Sequence, residues 1–145
     1  LLSPPARAAA PSASCEIRVV HARPEGEGMD PRITRLRPYL QKPPFTSWRR
    51  FELLDSKDVT LTVGTPARVE LPNGKQASLT YVQHLKADAG PHRLELRLEI
   101  GGGPAKLLDT TFVLNAGGVA LQAGQKYKDG LLVLGFTCDV HHDHP

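Results

Sequence analysis

Aromatic side chains are scarce in this chain. Phe, Trp and Tyr make up 6% of its 145 residues, and Trp48 is the only tryptophan. The core must therefore be built from Leu, Val and Ile, and nothing interleaves aromatics with basic residues in the manner of a nucleic-acid-stacking surface. No run of roughly 18 apolar residues occurs, so no segment is long and apolar enough to cross a bilayer as a helix. Gly-x-Ser-x-Gly is missing, which removes the nucleophile-elbow hydrolases. Gly101-Gly102-Gly103 is not followed by a helix start and forms no phosphate loop. Blocks of like charge and internal repeats are also lacking. Cysteine is limited to Cys15 and Cys138, and a chain of this length buries a core without depending on metals or many disulfides.

What is present is alternation. In Arg93-Leu94-Glu95-Leu96-Arg97-Leu98-Glu99-Ile100 apolar and charged residues alternate over all eight positions. Successive side chains of a strand point to opposite faces, so this segment has one dry and one wet face, the pattern of an antiparallel sheet. Gly and Pro number 13 each, suiting short strands joined by tight turns. A first strand is predicted over 15–22, followed by strands over 48–55, 58–63, 67–71, 76–84, 92–100, 107–115, 118–123 and 131–140. Asn73-Gly74 is a strong hairpin signal. Leu131-Leu132-Val133-Leu134-Gly135-Phe136 is continuously apolar and is predicted to be central and covered on both faces. Asp30-Pro31 marks a helix start, and Ile33, Leu36 and Leu40 share one face of a short helix over 31–41, weakened by Pro38. The expected fold is all-β, an antiparallel immunoglobulin-like sandwich over 15–140 with one short α-helix plugging one end. An Ala/Pro/Ser-rich arm over 1–14 precedes it and a His-rich tail over 141–145 follows.

Both cysteines lie in strand-like stretches at opposite ends of the folded region, which predicts a disulfide from first strand to last. Such a crosslink belongs to an oxidising compartment. The start of the chain is read the same way: Leu1-Leu2 would end an apolar run and Ala6-Arg7-Ala8 is a small-x-small cleavage pattern, as expected at the tail of a secretory signal. Ser12-Ala13-Ser14-Cys15 also has the small residues of a lipoprotein cleavage site, with Ser12 where Leu or Val is usual. A lipid on Cys15 would exclude the disulfide.

Net charge is +3, and residues 1–57 hold ten Lys/Arg against six Asp/Glu. The excess centres on Arg32, Arg35, Arg37, Lys42, Arg49 and Arg50. With Phe45 and Trp48 alongside, the residue types of a binding hot spot come together, and the interface is expected at Arg35, Phe45, Trp48, Arg49 and Arg50. The alternative role for Phe45 and Trp48 is to cap the core beneath the helix. His141, His142 and His144, beside Asp139 and Asp143, are the candidate ligands for Zn or Cu, although a tail lacks the rigid frame a metal site needs. A Cys138–His141 or Cys138–His142 dyad would compete with the disulfide. Glu95 and Glu99 share the wet face with Arg93 and Arg97, where cross-strand ion pairing accounts for them. His21, His84 and His92 read as packed or surface histidines.

The order of a Cys-bearing first strand, a Gly-Glu-Gly loop, Asp30-Pro31, Pro43-Pro44-Phe45, Leu71-Pro72-Asn73-Gly74-Lys75 and an apolar closing strand resembles uncharacterised secreted proteins of Gram-negative bacteria. The resemblance implies an envelope address and assigns no functional residue. The function expected is a non-enzymatic accessory or structural subunit of a periplasmic or extracellular complex or filament, acting through protein contact. Edge strands and an extended arm can add to a neighbour's sheet. The alternatives are a Zn- or Cu-binding protein using the terminal histidines, or a secreted hydrolase, for which no motif exists. Nucleic acid is not an expected partner, and the membrane is expected only through partners or a lipid on Cys15.

Overall fold

Cys15, Ile17 and Val19 recur at every second position, and this dry stripe runs down β1 (Ser12–Arg23). The computed structural model describes residues 12–43, 45–85, 90, 92–102 and 105–141. β1 begins at Ser12, inside the expected arm, because Ser12, Ala13 and Ser14 find backbone partners on both sides. The chain continues through β2 (Gly28–Met29), a 3-10 turn (Pro31–Leu36), α1 (Arg37–Leu40), a second 3-10 turn (Phe45–Ser47) and β3 (Arg50–Thr62). β4 (Ala67–Glu70), β5 (Gln76–Leu85), β6 (Arg93–Gly102), β7 (Ala105–Asn115), β8 (Ala120–Tyr127) and β9 (Gly130–His141) follow.

These strands make two sheets, ordered β2-β3-β1-β9-β8 and β4-β5-β6-β7. Every pairing is antiparallel except that of the dipeptide β2 with β3, so the five-stranded sheet is mixed. The fold is all-β with two sheets and one short helix. The strands expected separately over 48–55 and 58–63 are one strand, β3, because Ser56 and Lys57 pair with Arg18 and Ile17 of β1. A bulge at Leu54, between the Val19–Asp55 and Val20–Leu53 pairs, absorbs the irregularity.

The main core lies between the sheets. Leu94, Leu96, Leu98 and Ile100 of β6 are all buried there against Ile17, Val19, Leu134 and Phe136. Burying each such side chain stabilises the fold by about 1.5–3 kcal/mol relative to exposure. Cys15 and Cys138 face one another across β1 and β9 and form a disulfide with Cα atoms 4.1 Å apart.

A second apolar cluster covers the opposite face of the five-stranded sheet. Ile33, Leu36, Leu40 and Phe45 from the helical segment pack on Val20, Ala22, Phe51 and Val133. The helix thus lies on a sheet face and does not plug an end. β9 explains this: its apolar run presents side chains to both faces, so both need cover. Gly135 has no side chain to place on the outer face, and a Cβ there would come within 3.1 Å of Leu36. The helix over 31–41 is divided: a 3-10 turn runs to Leu36 and α-geometry only over Arg37–Leu40. Pro38 has no N–H to bond back to the Thr34 carbonyl, which instead accepts from the Arg37 N–H. Among the described residues no helix is long and apolar enough to cross a membrane.

Candidate binding cleft

The segment between β1 and β3 builds a cleft at one end of the five-stranded sheet. Asp30 starts its helical part. The Asp30 carboxylate accepts from the Arg32 backbone N–H (3.0 Å), the Arg32 guanidinium (2.7 Å) and the Leu53 N–H (3.1 Å). The Arg32 side-chain hydrogen bond is the largest reason why the Asp30 carboxyl sits far below the usual carboxylate range. At the far end of the segment the Arg49 N–H donates to the Arg23 carbonyl at 2.9 Å, returning the chain to the sheet.

Between these fixed points lies a hollow of about 330 Å³. Its apolar lining is Met29, Leu40, Trp48 and Phe51, with Arg37 and Arg49 among its polar residues. Trp48 is half-buried, while both arginines are exposed. Neither guanidinium has a carboxylate partner among the described residues. Their neighbours do: Arg32 pairs with Asp30 at 2.7 Å, Arg50 with Glu52 at 2.7 Å, and Arg23 with Asp129 at 3.1 Å. The cleft therefore carries two uncompensated positive charges beside an aromatic ring. A guanidinium presents a planar fork of donors that matches a carboxylate. Among the described residues the lining holds no carboxylate, imidazole or thiol, and the groups present offer anion binding and apolar contact.

The five interface residues read from sequence separate on the structure. Trp48 and Arg49 line the cleft together. Phe45 is buried in the second core, where it supports the helical segment. Arg50 borders an adjoining hollow that shares Gly28, Met29 and Phe51 with the cleft, and Glu52 neutralises it there. Arg35 belongs elsewhere: it lines a hollow with Glu16, Asp58 and Asp139, and its guanidinium reaches the Gly117 carbonyl at 3.4 Å. Sequence reasoning placed Arg37 in the basic group but not in the interface. The signal was its position one turn from Gln41 on the exposed side of a helix whose Leu40 is apolar.

His141 ends β9, opposite Ser12, and His142 and His144 lie outside the described residues. Among the described residues no three His, Cys, Asp or Glu side chains are grouped to hold a metal. His21 is buried, edge-on to Tyr127 with ring centroids 5.0 Å apart. Its Nε2 lies 3.2 Å from Asp129 Oδ1, but the alignment falls short of a hydrogen bond. His84 Nε2 and His92 Nδ1 are 2.9 Å apart with stacked rings, one donating to the other. Their positions on the two arms of the β5–β6 connection were the available clue.

The chain matches no protein-family model, no curated protein and no solved structure.

Proposed function

We propose that this protein is a non-enzymatic contact subunit of an assembly in the periplasm or outside the cell, and that the cleft beside Trp48 receives an acidic segment of the partner. One observation carries this reading: among the described residues Arg37 and Arg49 have no carboxylate partner, while Arg23, Arg32 and Arg50 do. Trp and Arg in one hollow are the residue types that dominate binding energy at protein interfaces. The extracytoplasmic address rests on the Cys15–Cys138 disulfide, since such bonds persist where thiols are not kept reduced. We read the two sheets as an immunoglobulin-like sandwich whose mixed edge, β2, exists to carry the cleft.

The test is purification of the tagged chain from its native envelope at several salt concentrations, beside an R37E/R49E variant. A stoichiometric partner that is released by salt and lost from the variant supports the reading. In that complex Trp48→Ala is expected to weaken binding by about 2 kcal/mol, roughly thirtyfold. A partner retained equally by wild type and variant, or no partner at all, overturns it.

A further inference from the structure

We infer that a second copy of this chain pairs with the free edge of β7, joining two four-stranded sheets into one continuous antiparallel sheet. β7 is the last strand of its sheet, and no described residue pairs with its outer side. An open edge presents a row of unpaired N–H and C=O groups, and proteins usually guard it with short strands, proline or free charge. The other edges are guarded in this way. β2 has two residues and β4 four, and β8 is interrupted by a bulge between Ala123 and Gln125. The open flank of β3 carries Asp58, which has no ion-pair partner among the described residues, beside the Asp55–Lys57 pair at 3.8 Å. β7 has eleven residues and no proline, and its one bulge, at Leu107, lies near its start and leaves Leu108 to Asn115 paired one to one with β6.

Its charges are already engaged within its own sheet. Arg97 of β6 holds Asp109 through two hydrogen bonds of 2.9 and 2.6 Å, and Lys106 holds Glu99 at 2.6 Å. Two of the most exposed large apolar side chains in the described structure also lie on this strand, Leu107 at 52% and Val113 at 48%.

The sequence of β7 selects both the occupant and the register. In an antiparallel pair of identical strands, a two-fold axis normal to the sheet must pass beside one residue. With the axis at Thr110, Leu108 of each copy faces Phe112 of the other, Asp109 faces Thr111, and Leu107, the bulged residue, comes beside Val113. An axis at Asp109 would set two carboxylates directly opposite, which is destabilising. An axis at Thr111 would set Asp109 against Val113. Only the Thr110 register among these three covers both exposed apolar side chains and opposes no like charges. The strand is complementary to itself.

Sedimentation equilibrium of the whole chain over a concentration series tests this, with Val113→Lys and Thr110→Cys variants alongside. The wild type is expected to be a reversible dimer. Val113→Lys, altering an exposed position and both symmetric contacts, is expected to raise the dimer dissociation constant about tenfold with an unchanged circular dichroism spectrum. Thr110→Cys is expected to form a covalent dimer on mild oxidation, whereas Thr111→Cys is not, because Thr111 faces Asp109. A wild type that stays monomeric at every concentration overturns the proposal. So does a dimer that Thr111→Cys crosslinks and Thr110→Cys does not, and this readout holds even if Val113→Lys fails to fold.

Discussion

Gly130 occupies the point where the start of β9 runs closest to the end of β1. A methyl group there would overlap the Ala22 carbonyl oxygen, a backbone atom that cannot swing aside. Gly130→Ala is therefore expected to destabilise the protein by about 1–3 kcal/mol, the usual cost of overpacking, read as a lower urea midpoint. Asp30 and Asp109 are two carboxylates expected to contribute to the acid side of stability. The hydrogen bond from Arg32 lowers the Asp30 pKa, and the hydrogen bond from Arg97 is the largest cause lowering that of Asp109, both from the usual 3.8. A carboxylate with a depressed native pKa contributes its stabilisation fully above its unfolded pKa and loses it as pH falls through the native one. Unfolding free energy should thus hold above pH of about 4 and decline below it. An Asp30→Asn/Asp109→Asn variant should show a shallower decline in pH-dependent urea titrations. An equally steep acid limb would mean that other carboxylates set it.

At the scale of elements, the helical segment owes its place to β9. Leu36 sits over Gly135 and is fully buried, and the short 3-10 and α turns have little stability of their own. Leu36→Ala is expected to cost about 2–5 kcal/mol, with Trp48 fluorescence shifting red at lower denaturant than in wild type as the segment lifts. In the β4–β5 hairpin Gly74 has a φ of +81°, and the Asn73 side chain accepts from the Lys75 N–H at 3.1 Å. Gly74→Ala should cost about 1–2 kcal/mol, measured by thermal unfolding. This hairpin, the β6 alternation and the doubly covered β9 were legible in the sequence because each depends on local periodicity or on one turn dipeptide. The union of 48–55 with 58–63 into β3 was not legible. Asp55-Ser56-Lys57-Asp58 is polar enough to read as a turn, and only the partner strand β1 holds it extended. The cleft was half legible. Composition placed Trp48 with arginines, but which guanidiniums lack a counter-charge depends on contacts such as Arg50–Glu52 and Arg32–Asp30. Arg35, close to Arg37 in sequence, points to a different hollow for the same reason: neighbours along a helical turn do not share a face.

For the molecule as a whole, the disulfide joins strands near the two ends of the described chain, 123 residues apart in sequence. Closing so long a loop stabilises the fold by roughly 5 kcal/mol through the entropy of the unfolded chain. A Cys15→Ala/Cys138→Ala variant should lose stability of that order, with native strand content retained by circular dichroism at low temperature. Both sulfurs are buried, so reductant alone should leave the wild type folded until denaturant opens the sheets, a point checked by thiol labelling with and without urea. Ser12, Thr62 and His141 lie side by side at one end of the five-stranded sheet, while Arg23 and Arg50 mark the other. β1 spans about 36 Å between them at ordinary strand rise. Whatever leash is attached ahead of Ser12 or behind His141, whether a bead, a chip surface or a fused carrier, holds the molecule by one pole and leaves Trp48 at the opposite one, facing outward like the jaw of a tool gripped by its handle.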